Sequence, residues 1–441
     1  MPLTDREASV VDAIAAKSDE LVDLTTVLVG FDTTARDVGD PARQEADLQE
    51  HLAARLRERG AAIDLFEPEA LALQGRPLVP SGIDFAGRPQ LIARFAGTGG
   101  GRSLIFNGHI DAVSYEPHER WTSDPLRAEV RDGLLYGRGT CDMKGGIAAM
   151  TVAAETLVEL GVRLRGDLTV ATNTDEESSG AGGTALVERG LRADAGIVTE
   201  ATGGDVWVAC RGSEYGVAVV PGQTGHAEVA HGHWRDGGAV NAIEKATLVI
   251  DAFRRLREDW RLQLRLRHPY LSKPDVVPTK IAAGEWIVTY PADCRISFGC
   301  LYLPQQADAD GWGSGVREEV EAAVARAAAT DSWLAEHPPT IQWLDSAVMP
   351  LEIPADHPVV AAMTSAGADV GREGRLWGLD SWYDGATFTH FADTPAIAYG
   401  PAGFSSDGAK IAHTIDEHVP VADLVSTAQA LAVAAMRFCG I

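Results

Sequence analysis

Apolar positions recur along this chain with two periods, and their alternation predicts its construction. A helical repeat sets Val10, Val11, Ile14, Leu21, Leu24 and Leu28 on one side of a segment from about Ala8 to Val29. A second runs from about Gln44 to Arg59, where Gly60 stops it. Short apolar runs at Ala62 to Phe66, Gln90 to Phe95, Leu104 to Phe106, Asp167 to Thr172 and Ala195 to Thr199 read as strands. An alanine-rich helix from Gly146 to about Leu160 falls among them. Strands alternating with helices predict an open α/β sheet.

The texture changes after Glu200. Strand-like Val206 to Cys210 and Tyr215 to Val220 precede a helix from about Val240 to Leu256, strands near Pro278 to Tyr290 and Cys294 to Leu303, and a helix from about Gly315 to Ala329. That order predicts a small α+β sandwich, residues 207–345, inserted into a larger domain of residues 1–206 and 346–441. The chain then returns to the first domain through a helix around Pro358 to Ala366, a strand Pro395 to Tyr399 and the segment Ala412 to His418.

Composition narrows the field. A length of 441 residues favours two domains, and 45% hydrophobic content is ordinary for a globular protein. The 38 Lys and Arg against 63 Asp and Glu give a net charge of -25, which repels nucleic acid and anionic membrane surfaces. Five cysteines, odd in number, scattered and without a CxxC pair, argue against a disulfide framework or a thiolate zinc knuckle and suit a reducing, cytoplasmic setting. The first residues lack a basic region followed by an apolar core, and no stretch approaches 18 uninterrupted apolar residues, so neither a signal peptide nor a membrane span is expected.

Candidate chemistry gathers at the ends of the expected strands. LIFNGHIDAV, residues 104–113, ends its apolar run in the turn signal Asn107-Gly108, followed by His109 and Asp111. An imidazole can give one nitrogen to a cation while a nearby carboxylate holds its other N–H. Next, glycines 137, 139, 145 and 146 surround Asp142 in a tight loop. The strand ending at Thr172 delivers Asp175-Glu176-Glu177, three acids that repel one another without a cation, and the strand from Ala195 delivers Glu200. Gly97 to Gly101 is read as a loop, since no Gly-Lys-Ser/Thr follows, and Cys141 as a small buried side chain.

In order, NGHIDAV, GRGTCDMKGG, DEES, the strand-end Glu200, GQTGHAE, HWRDGGAVNAIEKA and AHTIDEHV resemble the M20 metallopeptidase and deacylase family, in its acetylornithine deacetylase/succinyl-diaminopimelate desuccinylase branch. The resemblance covers roughly residues 90–420. It implies an α/β fold: a mixed-sheet catalytic domain flanked by helices, with an inserted α+β, ferredoxin-like lid that commonly forms a homodimer contact. It also implies two divalent metal ions, usually zinc. His109, Asp142 and Glu200 would hold one ion and Glu177, Asp142 and His413 the other, with Asp142 bridging. Imidazole and carboxylate donors suit Zn2+, or less exclusively Co2+ or Mn2+. Asp111 would orient His109. Glu176 would be the general base, taking a proton from a metal-bridging water and returning it to the leaving amine. His226 would donate to the tetrahedral oxyanion, often across the dimer. His231, His233 and His418 are left as surface or supporting residues.

Two departures concern the substrate. Where many relatives carry a carboxylate-gripping arginine at the last lid strand, this chain reads Phe298-Gly299-Cys300-Leu301, and a common Thr-Asp-x-Arg appears as Tyr383-Asp384-Gly385-Ala386-Thr387. A substrate carboxylate would lose a bidentate partner at both places. Trp377, Trp382 and Tyr383 could line an aromatic pocket instead, or pack the core. The expected activity is hydrolysis of a linear amide in a small molecule, an N-acyl amino acid or related N-acyl amine. An exopeptidase or dipeptidase, an aminohydrolase of an aromatic amine, and a non-catalytic binding protein on the same fold are the alternatives.

Overall fold

The strand Leu104–His109 runs through the larger sheet of a computed structural model that describes residues 2–35, 37–404 and 408–441. It pairs in parallel with Leu168–Asn173 on one side and Ala195–Val198 on the other. The order across this part of the sheet is Ala62–Phe66, Gln90–Phe95, Leu168–Asn173, Leu104–His109, Ala195–Val198, Ala396–Ala398 and Val206–Cys210. Gln90–Phe95 and Val206–Cys210 run against their neighbours, so the sheet is mixed.

Every residue of the three parallel strands Leu104–His109, Leu168–Asn173 and Ala195–Val198 is buried, as a sheet covered on both faces requires. Ile105 and Ala171 pack toward the helices Ala181–Glu188 and Gly385–Ala392. Gly108 backs onto the helix Lys144–Glu159, where a Cβ would lie 2.7 Å from Ile147. That helix is buried from Lys144 through Leu157 and packs against Ser18–Gly30 and Val421–Cys439. Its second and third residues have no room for side chains. A Cβ on Gly145 would fall 2.2 Å from the Thr140 carbonyl oxygen, and one on Gly146 would fall 2.0 Å from that of Thr199. The glycines therefore seat the helix against the turn that carries Asp142 and the strand end that carries Glu200.

The chain divides into two compact units. The first comprises Met1–Ala209, Ile353–Gly378 and Tyr383–Ile441, and the second Cys210–Glu352 with Leu379–Trp382. In the second, Gly212–Pro221, Asp293–Tyr302, Asp275–Ala283 and Thr340–Trp343 form an antiparallel sheet, and the helices Ala242–Leu262 and Ser314–Ala328 complete a βαββαβ order. With the first strand beside the fourth and third, this is the ferredoxin-like sandwich. Alternate residues Cys294, Ile296, Phe298, Cys300 and Tyr302 are buried, with Phe298 meeting Phe253 of the longer helix at a ring separation of 4.6 Å. Leu379–Trp382 joins this unit because the buried Arg211 guanidinium donates to the Asp380 carbonyl from Nε and Nη2, at 3.0 and 2.6 Å.

The structure also departs from the sequence reading in places. Asn107-Gly108 is strand rather than turn, with the Asn107 amide donating to Asn173 Oδ1 at 2.8 Å. The first helical repeat is two helices, Asp5–Ala15 and Ser18–Gly30. Thr340–Trp343, the fourth lid strand, and the small sheet of Glu129–Arg131, Leu134–Tyr136 and His418–Pro420 carry too few residues to register as apolar runs. Helix Val421–Cys439 is long and apolar enough to cross a membrane by composition, yet two thirds of its most apolar window is buried among the first unit's helices. All five cysteines are free and buried.

The seating of Lys144–Glu159 is testable. Gly146→Ala forces a methyl against backbone that cannot rotate away, and overpacking of this kind costs about 1–3 kcal/mol. Thermal denaturation of Gly146→Ala should show a Tm several degrees lower, whereas Gly315→Ala, with open space around it, should not. Equal melting of the two variants would refute the close seating.

Candidate metal centre

The ends of the parallel strands deliver the chemistry. His109 is the last residue of Leu104–His109, Glu176 and Glu177 follow Leu168–Asn173 in a turn, and Glu200 lies two residues beyond Ala195–Val198. Asp142 occupies the turn before Lys144–Glu159. His413, at φ +64, comes from the loop before the strand His418–Pro420.

These side chains converge. One donor atom each of His109, Asp142 and Glu177 lies within 4.8 Å of the others, a possible metal-holding group among the described residues. Asp142 faces both ways, with Oδ1 3.3 Å from His109 Nε2 and Oδ2 3.2 Å from His413 Nε2. Glu200 Oε1 is 3.7 Å from His109 Nε2, and Glu177 Oε1 is 3.1 Å from His413 Nε2. Glu176 Oε2 stands 3.9 Å from His109 Nε2. Two imidazoles thus share a carboxylate between them, each with further carboxylates beside it.

Asp111 acts differently from the expected picture. The acceptor nearest His109 Nδ1 is the Asp111 backbone carbonyl, at 2.9 Å, with the carboxylate at 3.6 Å. The carboxylate instead accepts the backbone N–H groups of Glu176 and Glu177, at 3.3 and 3.0 Å. One residue therefore steers the His109 ring and fixes the two-glutamate turn. Asp175, read as one of three clashing acids, is bound by buried Arg88 at 2.9 Å. At φ +63 it turns the chain so that its carbonyl receives Ser179 and Gly180.

Burial dominates the electrostatics. It pushes Asp111 up to about 7 against the pull of His109, and with the charge of Asp142 it pushes Glu200 up to about 8. Glu176 is driven well above the carboxylate range by burial and by Glu200 and Glu177, despite His109. Hydrogen bonds to Asp142 and Glu177 raise the His413 imidazole to about 10. Only Asp142 moves down, because both imidazoles outweigh its burial. In effect the cluster holds protons where it needs positive charge. Imidazole nitrogens and carboxylate oxygens in this excess fit one or more divalent cations of the zinc, cobalt or manganese kind.

Sequence reading passed over Asp384 as a site residue. It is fully buried, its Oδ2 accepts from Asn173 Nδ2 at 2.6 Å, and burial raises it to about 6. The only available signal was an acid at the position of a missing arginine motif. Tyr383 is enclosed, with its hydroxyl 3.4 Å from the carbonyl oxygens of Trp207 and Ala396. Trp382 belongs to the second unit and is half-buried. His226 is also in that unit, exposed, on the ribbon Gly225–His226 paired with Thr289–Tyr290. Its Nδ1 accepts from the Glu228 N–H at 3.3 Å.

A mixed sheet bearing this cluster, with a ferredoxin-like second unit, is the build of a metal-dependent hydrolase. The chain belongs to peptidase family M20/M25/M40, whose profile matches residues 105–437. It is 26% identical over 422 residues, covering 92% of each chain, to the N-formyl-4-amino-5-aminomethyl-2-methylpyrimidine deformylase of Bacillus subtilis. A 197-residue stretch is 39% identical to the succinyl-diaminopimelate desuccinylase of Leptothrix cholodnii, covering 42% of this chain and 48% of that one. Among solved structures it resembles aminopeptidase PepT from Bacillus cereus, with a TM-score of 0.69, 20% identity and coverage of 96% and 98%. It also resembles a dinuclear metal binding M20 peptidase from Bacillus subtilis, with a TM-score of 0.63, 14% identity and coverage of 97% and 100%.

The raised groups dictate a pH dependence. An acid or imidazole whose folded pKa exceeds its unfolded value contributes stability that is lost as pH rises through the folded pKa. For Asp111, Glu200 and His413 that window runs from about 4 up to about 10. Chelator-treated protein should therefore melt lower at pH 8 than at pH 5.5, and added divalent metal should raise Tm more at pH 8. A metal-free protein that melts higher at pH 8 would contradict this account.

Proposed function

We propose that the chain hydrolyses a linear amide, deacylating an N-acyl amine with two divalent metal ions, most suitably Zn2+, held by His109, Asp142, Glu177, Glu200 and His413. The observation that carries this reading is the two-sided Asp142, within 3.3 Å of one imidazole and 3.2 Å of the other. Bound ions of this kind polarise a carbonyl and lower the pKa of water to about 7.

The chain's own residues supply the rest. Glu176 is the general base and then the general acid. Burial and neighbouring carboxylates raise its proton affinity, and the Asp111 carboxylate anchors its backbone N–H at 3.3 Å. Asp111 keeps the His109 ring turned so that Nε2 faces the acids. Asp384 and Asn173 brace the turn behind them. His226 is the candidate donor to the developing oxyanion, presented from a homodimer's lid, and the lid unit is the candidate dimer contact.

Two relatives that match over nearly the whole chain are named deformylases of an aminomethylpyrimidine, one from Bacillus subtilis and one from Halalkalibacterium halodurans. The lid stretch Phe298 to Leu301 contains no arginine, and neither does Tyr383 to Thr387. Both features favour a small N-acyl amine without an essential α-carboxylate over an acylated amino acid or dipeptide. Five buried free thiols accord with a cytoplasmic setting.

Amine release from N-formyl, N-acetyl, N-succinyl and aromatic N-acyl amines and from dipeptides, with Glu176→Gln in parallel, tests this. Activity is expected on a neutral N-acyl amine. Glu176→Gln should lose about 100- to 10,000-fold in kcat with its metal retained. Unchanged turnover in Glu176→Gln would sink the assignment, and preference for dipeptides would make the chain an exopeptidase instead. His226→Ala should cost on the order of 100-fold in kcat with KM nearly constant.

A further inference from the structure

Asp142 faces two imidazoles at once, and its own position depends on a pair of residues with no role so far. Glu417 is completely buried, and Arg138 is nearly so. The two meet side chain to side chain, Nη1 of Arg138 donating to Oε2 of Glu417. The other oxygen, Oε1, accepts the backbone N–H of Cys141 at 3.0 Å and of Asp142 at 3.3 Å. The Glu417 carbonyl also receives the Gly137 N–H at 2.9 Å. One glutamate thus ties down the Gly137 to Asp142 turn at three main-chain points.

That glutamate lies four residues after His413, on the same segment that proceeds into His418–Pro420, which pairs with Leu134–Tyr136. The segment carrying one imidazole and the turn carrying the shared carboxylate are therefore joined through a single buried side chain. A carboxylate suits the task because each of its oxygens can accept, one from the guanidinium and one from the two N–H groups. Its charge would repel Asp142 without Arg138, whose guanidinium neutralises it and lies 5.1 Å above the Trp121 ring.

We propose that Glu417, clamped by Arg138, is a positioning residue that sets Asp142 and the His413 loop at the spacing two metal ions require. The inference rests on the dinuclear reading of the site. Glutamine at this position can accept on only one oxygen, so it leaves either the guanidinium or the two main-chain N–H groups facing another donor. Metal affinity falls as a consequence, because groups that orient ligands commonly account for 10- to 100-fold of it.

The test uses the full chain, stripped by chelator and reloaded with Co2+, with binding measured by titration and the visible absorption of the bound ion recorded. Wild type is expected to take up two equivalents, and Glu417→Gln to bind at least one of them about 10- to 100-fold more weakly with an altered spectrum. Glu155→Gln is the control. Glu155 is equally buried and paired with Arg55 at 2.6 Å, away from the ligand loops, so its loss should lower Tm and leave Co2+ binding unchanged. Wild-type affinity and spectrum in Glu417→Gln would overturn the inference. Failure of the wild type to bind Co2+ would overturn the metal reading beneath it. Should Glu417→Gln not fold, Glu417→Asp, which keeps the charge and shortens the reach, is judged by the same criteria. Hydrogen exchange in the metal-free wild type needs no variant: slow exchange at the Cys141 and Asp142 amides supports the clamp, and rapid exchange there refutes it.

Discussion

Repulsion among buried acids is the constraint on which this structure turns. Asp111, Asp142, Glu176, Glu177, Glu200 and Asp384 are brought to one end of one sheet, Asp111, Glu200 and Asp384 buried and the other three partly so. Two unit charges 4 Å apart repel by about 4 kcal/mol at an effective dielectric of roughly 20. A whole domain is stabilised by only about 5–15 kcal/mol. A few such pairs, fully ionised and uncompensated, would consume that margin, so the cluster must recruit positive charge. Protons on carboxyls and imidazoles meet the need in one state, and divalent cations meet it in another.

The surrounding fold is arranged to tolerate the crowding. The glycines of Lys144–Glu159 let a helix begin against the strand ends. Arg88 takes up the charge of Asp175 so that only Glu176 and Glu177 turn inward. Asn107, Asn173 and Asp384 form a buried hydrogen-bonded chain beneath the cluster, where apolar side chains would leave polar atoms stranded.

Much of this was legible in the sequence, because ligand motifs follow strand ends and strands announce themselves as apolar runs. The five ligand candidates, Glu176 and the inserted domain were read from those runs and from the family resemblance. The failures have physical causes. Asn107-Gly108 has turn chemistry, but burial against Asn173 holds it in a strand. Asp111 was expected to work through its carboxylate, yet the main chain reaches His109 first. Thr340–Trp343 alternates exposed Thr340 and Gln342 with half-buried Ile341 and Trp343, but four residues are too short a run to register. Arg138, Glu417 and Asp384 lie in stretches read for other residues, and nothing in the sequence marks their charges as buried.

The position of Ala396–Ala398 bears on how the chain is made. This strand lies between Ala195–Val198 and Val206–Cys210, which precede it by nearly two hundred residues. Until it emerges, the two earlier strands flank an empty slot with unpaired edges. His413 emerges later still, about 210 residues after Glu200. At synthesis rates of about 5–20 residues per second, that interval is roughly 10 to 40 s. Over that time the lid is still being made, its last strand Thr340–Trp343 coming well after Glu200, while the sheet stays open and the acids lack one of their two imidazoles. The last stretch of translation thus closes the sheet and completes the cluster almost together, and a chain truncated before residue 396 would carry an exposed sheet edge as well as an incomplete centre.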